Sequence, residues 1–144
     1  MRRCGMTKEE IIRRFVCVPS RIAVVGASPK PERPVNGVME YLKRKGFSLS
    51  PVNPAYAGRD IHDVPCVGSL GELPQPVDVV ALFVSSEQQK DIFAALVRLP
   101  YKPVVWMQPG AENVEAERTL RAQDYDVVSG ECLMAVSKSR CASS

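Results

Sequence analysis

The stretch that decides the fold is Arg21–Pro54, RIAVVGASPKPERPVNGVMEYLKRKGFSLSPVNP. Arg21–Gly26 is a short, β-branched apolar run closed by glycine, the pattern of a buried parallel strand. Pro34–Gly46 predicts a helix. Val35, Val38, Met39 and Leu42 recur at i, i+3, i+4 and i+7 and so share one face. Pro34 suits the first helical turn and Gly46 the stop. Phe47–Val52 alternates and predicts a second strand, whose ladder Pro51 limits.

Strand and helix go on alternating to the end of the chain. Asn53–Gly68 is rich in Pro, Gly and Asp and predicts a long loop with an extended piece at Val64–Val67. Ser69–Leu73 predicts a single helical turn, capped by Ser69 with Glu72 three residues on. Val77–Val84 is the strongest apolar run and the third strand. Ser86–Leu99 predicts a helix with Ile92, Phe93, Leu96 and Val97 on its apolar face. Pro103–Met107 is the fourth strand. Glu112–Gln123 is a helix with a narrow apolar face (Ala116, Leu120), and Tyr125–Val128 is the fifth strand. Upstream, Thr7 and Glu10 have the spacing of a capping box and start a short helix over Thr7–Arg14. The expected fold is α/β: one Rossmann-type, doubly wound domain over residues 1–144 with a mainly parallel five-stranded sheet. Residues 1–20 form its N-terminal extension. The Ser- and Lys-rich residues 138–144 form a frayed tail.

The chain has 144 residues, the size of one domain, so a second substrate domain does not fit. Apolar residues make up 45% and charged residues 24%, as in ordinary globular proteins. Net charge is +3. Its densest clusters are Arg13-Arg14 and Lys43-Arg44-Lys45, and the second suits the C-terminal end of a helix. Few aromatics sit near them, so nucleic acid is not an expected partner. The five cysteines include no C-x-x-C pair, so no metal site is expected. An odd cysteine count without a secretory segment points to a reducing, cytoplasmic compartment. Met1–Thr7 leaves room for a short presequence, against which Glu9 and Glu10 argue. No apolar run approaches the roughly 18 residues of a membrane span, so no membrane association is expected.

In a doubly wound sheet, ligands bind at the C-terminal ends of the strands, where the winding direction reverses beside the first strand. There the chain reads Gly26-Ala27-Ser28-Pro29-Lys30-Pro31-Glu32-Arg33-Pro34. Gly26 lets the backbone turn sharply and approach a ligand. The following helix offers free N–H groups and a positive dipole end, which suit a phosphate. Ser28 adds a hydroxyl, Arg33 a guanidinium that grips phosphate in two places, and Asn36 lies in the first helical turn. Read alone, the same loop is equally a Pro-stiffened connection with a solvated Arg. The dinucleotide fingerprint would require Gly at positions 28 and 31, where Ser28 and Pro31 stand. The acid that would hold an NAD ribose is missing too, its place taken by Pro51-Val52-Asn53-Pro54. Arg59, further on, is either a second phosphate contact or a solvated side chain.

An ordered set of short motifs completes the reading: Val25-Gly26-Ala27-Ser28, Pro31-Glu32-Arg33-Pro34, Pro51-Val52-Asn53-Pro54 with Gly58, Ser69-Leu70, Pro76-Val77-Asp78-Val79-Val80, and Val105-Trp106-Met107-Gln108-Pro109-Gly110. Over about Ile22–Met134 the chain resembles the stand-alone CoA-binding domain family, whose fold is similar to the N-terminal domain of the succinyl-CoA synthetase alpha subunit. The resemblance implies a small Rossmann domain holding coenzyme A, or an acyl-CoA, in the switch-point crevice. It places the pyrophosphate at Gly26, Ala27, Ser28 and the helix start near Asn36, and the adenosine side near Asn53 and Pro54. It runs the pantetheine arm along Phe83-Val84-Ser85 and Gln108-Pro109-Gly110. Two positions depart from the family: Asn36 is commonly Ser there, and Pro109 is commonly small or aliphatic.

No catalytic constellation is expected. The synthetase alpha subunit works through a phosphorylated histidine in a second domain, and the only histidine here, His62, lies in the Asp60–Asp63 loop. Glu112, Glu115 and Glu117 suit the first turns of a helix. Neither a nucleophile elbow nor a P-loop is present. Trp106 is expected in the core with its N–H satisfied, and Cys132 as a buried thiol, with disulfide exchange near CoA as its functional alternative. The expected function is non-catalytic binding of CoA as sensor, carrier or adaptor. The alternatives are an NAD(P)-linked oxidoreductase, a subunit of a split acyl-CoA synthetase, or an interaction module with an empty crevice. A homodimer or a further protein partner stays open.

Overall fold

A computed structural model describes residues 5–141. Its main sheet contains β1 (Arg21–Val25), β2 (Ser48–Val52), β5 (Val79–Leu82), β6 (Val104–Met107) and β7 (Val127–Ser129). These five strands are parallel and lie in the order β2-β1-β5-β6-β7. Counting only these strands, the order is 2-1-3-4-5, a doubly wound arrangement whose direction reverses between β1 and β5. The expected Rossmann-type sheet is therefore present, and each strand is one to four residues shorter than its apolar run.

Why these runs make a sheet buried on both faces is visible in the alternation of side chains. Ile22 and Val24 of β1, Val79 and Ala81 of β5, and Val104 and Trp106 of β6 point into one core. Ala23 and Val25, Val80 and Leu82, and Val105 and Met107 point into the other. The first core is covered by the N-terminal helix, α2 (Pro34–Arg44) and α5 (Leu133–Arg140). The second lies under α3 (Lys90–Leu96) and α4 (Val114–Ala122). Each large side chain moved from water into such a core contributes about 1.5–3 kcal/mol. Trp106 is fully buried, and its Nε1–H donates to the Glu131 carbonyl at 2.6 Å.

The chain returns from β2 to β5 without an α-helix. A 3-10 turn at Pro54–Tyr56 leads to a small antiparallel hairpin, β3 (Asp60–Ile61) and β4 (Val64–Pro65). The hairpin turns at His62 and Asp63, both with positive φ, as a two-residue turn between twisted strands requires. Lys43 Nζ donates to the His62 carbonyl and pairs with Asp63. A second 3-10 turn spans Leu70–Glu72, and Ser69 makes no capping bond to its backbone, contrary to the expected cap. The predicted helix over Ser86–Leu99 is a 3-10 turn at Ser86–Gln88 followed by α3.

The chain ends depart most from expectation. The Thr7–Glu10 capping box forms, and hydrogen bonds from the Thr7 backbone and hydroxyl hold the Glu10 carboxyl below the usual carboxylate range. After α1 (Lys8–Ile11), however, the helix widens into a π-turn over Ile12–Val16, closed by Cys17 N–H to the Ile12 carbonyl. Ile11, Ile12 and Val16 are buried, and Cys17 reaches Cys141 in a disulfide beyond the end of α5. One call needs correction here: residues 138–140 are helical rather than frayed. Cys4, the start of the presequence stretch and residues 142–144 lie outside the described residues. No helix of the described residues is long and apolar enough to cross a membrane.

The disulfide closes a loop of 124 residues in sequence separation and so removes much of the unfolded chain's freedom. Replacing Cys17 by Ser should lower stability by about 2–4 kcal/mol. Urea unfolding with and without a reductant checks this; equal midpoints for both proteins under oxidising conditions would remove the disulfide from the stability account.

Candidate functional site

At the switch point β1 ends and the chain must turn away from the sheet. Gly26 does this at φ +92°, where its N–H donates to the Val52 carbonyl. A Cβ here would stand 2.8 Å from Val84 Cγ1 and 3.4 Å from the Phe83 carbonyl carbon. Only glycine therefore lets the β1 turn lie flat against the end of β5. The turn leads through Ala27–Arg33 into α2, whose N-terminus has no side-chain cap and carries Pro34 at its start. Pro34 has no N–H and the Asn36 N–H donates to the Arg33 carbonyl at 3.0 Å, so few backbone donors of the first turn are left to a ligand or to water.

Beside this turn lies a crevice of about 550 Å³, a size typical of small-molecule sites. Its inner walls are apolar: Val25, Val52, Leu70, Phe83, Val84, Ile92 and Ala95. Its polar lining comes from Arg33, Asn53, Ser69, Ser85, Gln88 and Asp91. Arg33 is exposed at the rim, on the residue that precedes α2.

Of the residues singled out from the sequence, Gly26, Arg33, Asn53, Pro54, Phe83, Val84 and Ser85 meet around this crevice. The others do not line it, and each has a visible structural task. Ala27 is buried, and its carbonyl accepts from Asn53 Nδ2 at 2.9 Å. Ser28 is buried, its Oγ accepting from Lys30 N–H at 3.2 Å. Asn36 turns its amide back to the Ser28 carbonyl at 2.9 Å. Gln108 is buried beyond β6, and its Oε1 accepts the first N–H of α5, that of Leu133, at 2.9 Å. Gly110 sits in the next loop, its N–H bonded to Glu112. Asn53 serves in both ways. While lining the crevice, it accepts from Ala55 N–H and donates to Ala27, clamping the β1 and β2 loops together.

The sequence reading missed the far wall: Gly68, Ser69, Leu70, Gln88, Asp91, Ile92 and Ala95. Ile92 was placed on the apolar face of its helix, and the tertiary fold turns that face partly toward the crevice. Asp91 puts a carboxylate on the α3 side, although none stands at the end of β2. His62 lies away from the crevice, with Nε2 at 3.2 Å from the Asn36 carbonyl. Arg59 lies over the Tyr56 ring at 5.5 Å. Cys66 is buried, its thiol facing the Asn53 and Val67 carbonyls, and burial pushes its pKa up. Cys132 is half-buried and free, and it does not line the crevice. Among the described residues no group of three or more His, Cys, Asp or Glu side chains is placed to hold a metal ion.

Comparison with known proteins agrees with this geometry. The family model of the CoA binding domain matches residues 20–138. The uncharacterized protein YneT of Bacillus subtilis is 33% identical over 125 residues, covering 87% of each chain. A solved structure from Thermus thermophilus, cell-free ID.343, superposes with a TM-score of 0.84 at 32% identity, over 92% of this chain and 98% of its own. An acetate–CoA ligase (ADP-forming) of Archaeoglobus fulgidus is 29% identical over 111 residues, which are 71% of this chain and 15% of the ligase.

The two glycines flanking the turn between β1 and α2 should respond oppositely to alanine. Gly26→Ala forces a side chain into a positive-φ position against Val84 and should cost about 1–3 kcal/mol. Gly37→Ala adds a methyl where nothing lies within 4 Å inside α2, and should gain about 0.5–1 kcal/mol. Chemical unfolding of both variants checks the pair; equal effects would deny that Gly26 is conformationally required.

Proposed function

This chain belongs to the CoA binding domain family, and from that premise we propose that it binds coenzyme A or an acyl-CoA in the switch-point crevice without transforming it. The observation that carries the reading is the uncapped N-terminus of α2 beside a glycine turn, with Arg33 at the rim and an apolar cleft behind. The chemistry of this donor set fits the group. CoA has an anionic pyrophosphate joined to a flat base at one end and a long, weakly polar arm at the other. Backbone N–H groups and the helix dipole suit the pyrophosphate, and the Arg33 guanidinium adds a charged donor. The apolar walls at Val52, Leu70, Ile92 and Ala95 suit a base or the pantetheine arm. Ser69 and Asp91 supply acceptors for ligand hydroxyl and amide groups. What CoA supplies when bound is a thiol that carries an acyl group; the residues of this chain hold and orient the carrier.

Several observations favour CoA over a nicotinamide dinucleotide. The first loop lacks the second and third fingerprint glycines, and the end of β2 offers Asn53 rather than a carboxylate, with its amide spent on the Ala27 and Ala55 backbone. The reading of the chain as one part of a larger acyl-CoA-forming assembly is favoured by its similarity to a segment of the acetate–CoA ligase. Its distinguishing mark is a second chain, carrying the remaining domains, that co-purifies and confers ligase activity.

Calorimetric titration with CoA, acetyl-CoA, NAD and NADP is the test. CoA should bind in the micromolar range with NAD silent; NAD binding with CoA silent would overturn the proposal. Arg33→Ala should weaken CoA by about ten-fold or more, since a charge-assisted hydrogen bond is worth about 1.5–3 kcal/mol. An unchanged dissociation constant removes Arg33 from the site.

A further inference from the structure

Gln89 stands just before α3 and is fully buried, although the sequence reading gave it no task. Its carboxamide is completely used. One side-chain N–H donates to the Val84 carbonyl at 2.9 Å and the other to the Ala111 carbonyl at 2.8 Å. Its Oε1 accepts from Asn113 Nδ2 at 3.1 Å, and Asn113 Oδ1 in turn caps α4 at Ala116 N–H. A single side chain thus joins the end of β5, the β6–α4 loop and the start of α4. Burying an amide is costly unless all its groups are paired, and a fully paired one is rigidifying. Val84 is where this network meets the crevice: it lines the cavity and leaves no room for a Cβ on Gly26.

We infer that Gln89 is a positioning residue, which fixes the Val84 wall of the crevice and couples it to the Ala111–Asn113 segment without touching the ligand. The affinity half of this inference rests on the CoA reading above; the coupling half stands on the hydrogen bonds alone. The amide is needed because two carbonyls must be served by one side chain. Leucine keeps the volume and serves neither. Glutamate at neutral pH would set its own acceptors against both carbonyls. The neighbouring charged residues, Glu87, Lys90, Asp91 and Glu112, are all exposed. A buried Glu at this position would therefore have its pKa raised by desolvation and by the facing carbonyls, and on protonation it would regain one O–H donor.

The test compares wild type, Gln89→Leu and Gln89→Glu by CoA titration from acid to neutral pH, with amide hydrogen exchange on the free proteins. Folding of each is verified by its thermal transition. Gln89→Leu should weaken CoA by about ten-fold at every pH, through loss of three hydrogen bonds. Gln89→Glu should be as weak at neutral pH and recover toward wild type in acid, which a simple packing role would not produce. Exchange should quicken in both variants at residues 84–88 and 110–113 together. If wild type binds CoA and Gln89→Leu binds it equally, the inference is overturned and the CoA reading stands. If wild type does not bind CoA, that reading fails and exchange alone decides. Paired quickening of the two segments upholds the coupling, and unchanged exchange overturns it.

Discussion

At Gly26 the chain leaves the sheet with its backbone pressed against Phe83 and Val84, and the rest of the site depends on that contact. A side chain at this point would push the β1 turn off the end of β5. The crevice would then lose its floor, and α2 would no longer begin beside it. Because the winding reverses at β1, its two neighbours carry the two walls. β2 brings Val52, Asn53 and Pro54, and β5 brings Phe83, Val84 and Ser85. The parallel register that sets Val25 beside both Val52 and Leu82 lines up all three strand ends.

The polar residues around the crevice divide into two groups by a physical rule: a buried polar atom must find a partner. Ser28, Asn36, Gln89 and Gln108 are satisfied by backbone groups of neighbouring loops, so they hold the frame. Arg33 is left exposed at the crevice rim, just ahead of α2. This division explains why a site in a small chain can be rigid. Side chains that resemble ligand contacts by type are spent on shaping backbone.

At the other end of the molecule, the chain termini are fastened together. The π-turn, the Cys17–Cys141 disulfide and surface ion pairs from Lys8 to Glu131 and from Arg140 to Glu9 close the N-terminal helix over α5. Exposed ion pairs contribute little by themselves. The buried Ile11, Ile12, Val16, Leu133 and Val136 carry most of this contact. Gln108 holds the N-terminus of α5, and the disulfide lies just past its other end, so both ends of this helix are fastened.

The amino-acid sequence by itself determined the parallel sheet, the positions of its strands, the helix after β1 and the turn at Gly26. Those features depend on local patterns: apolar runs, a 3.6-residue stripe, a glycine, a proline. It also placed seven residues that line the crevice, because strand ends in a doubly wound sheet have a fixed geometric meaning. Tertiary structure alone decided the rest. α5 left no legible signal because its start is capped by Gln108, 25 residues away, and its apolar residues Leu133–Val136 run consecutively instead of forming a stripe. Pairing of Cys17 with Cys141 is set by the meeting of two helix ends 124 residues apart. The wall made by Ser69, Gln88 and Asp91 and the hidden role of Gln89 likewise depend on which loops the fold brings together. A hydrogen bond between distant segments has no period and no spacing, so no reading of one segment at a time reveals it.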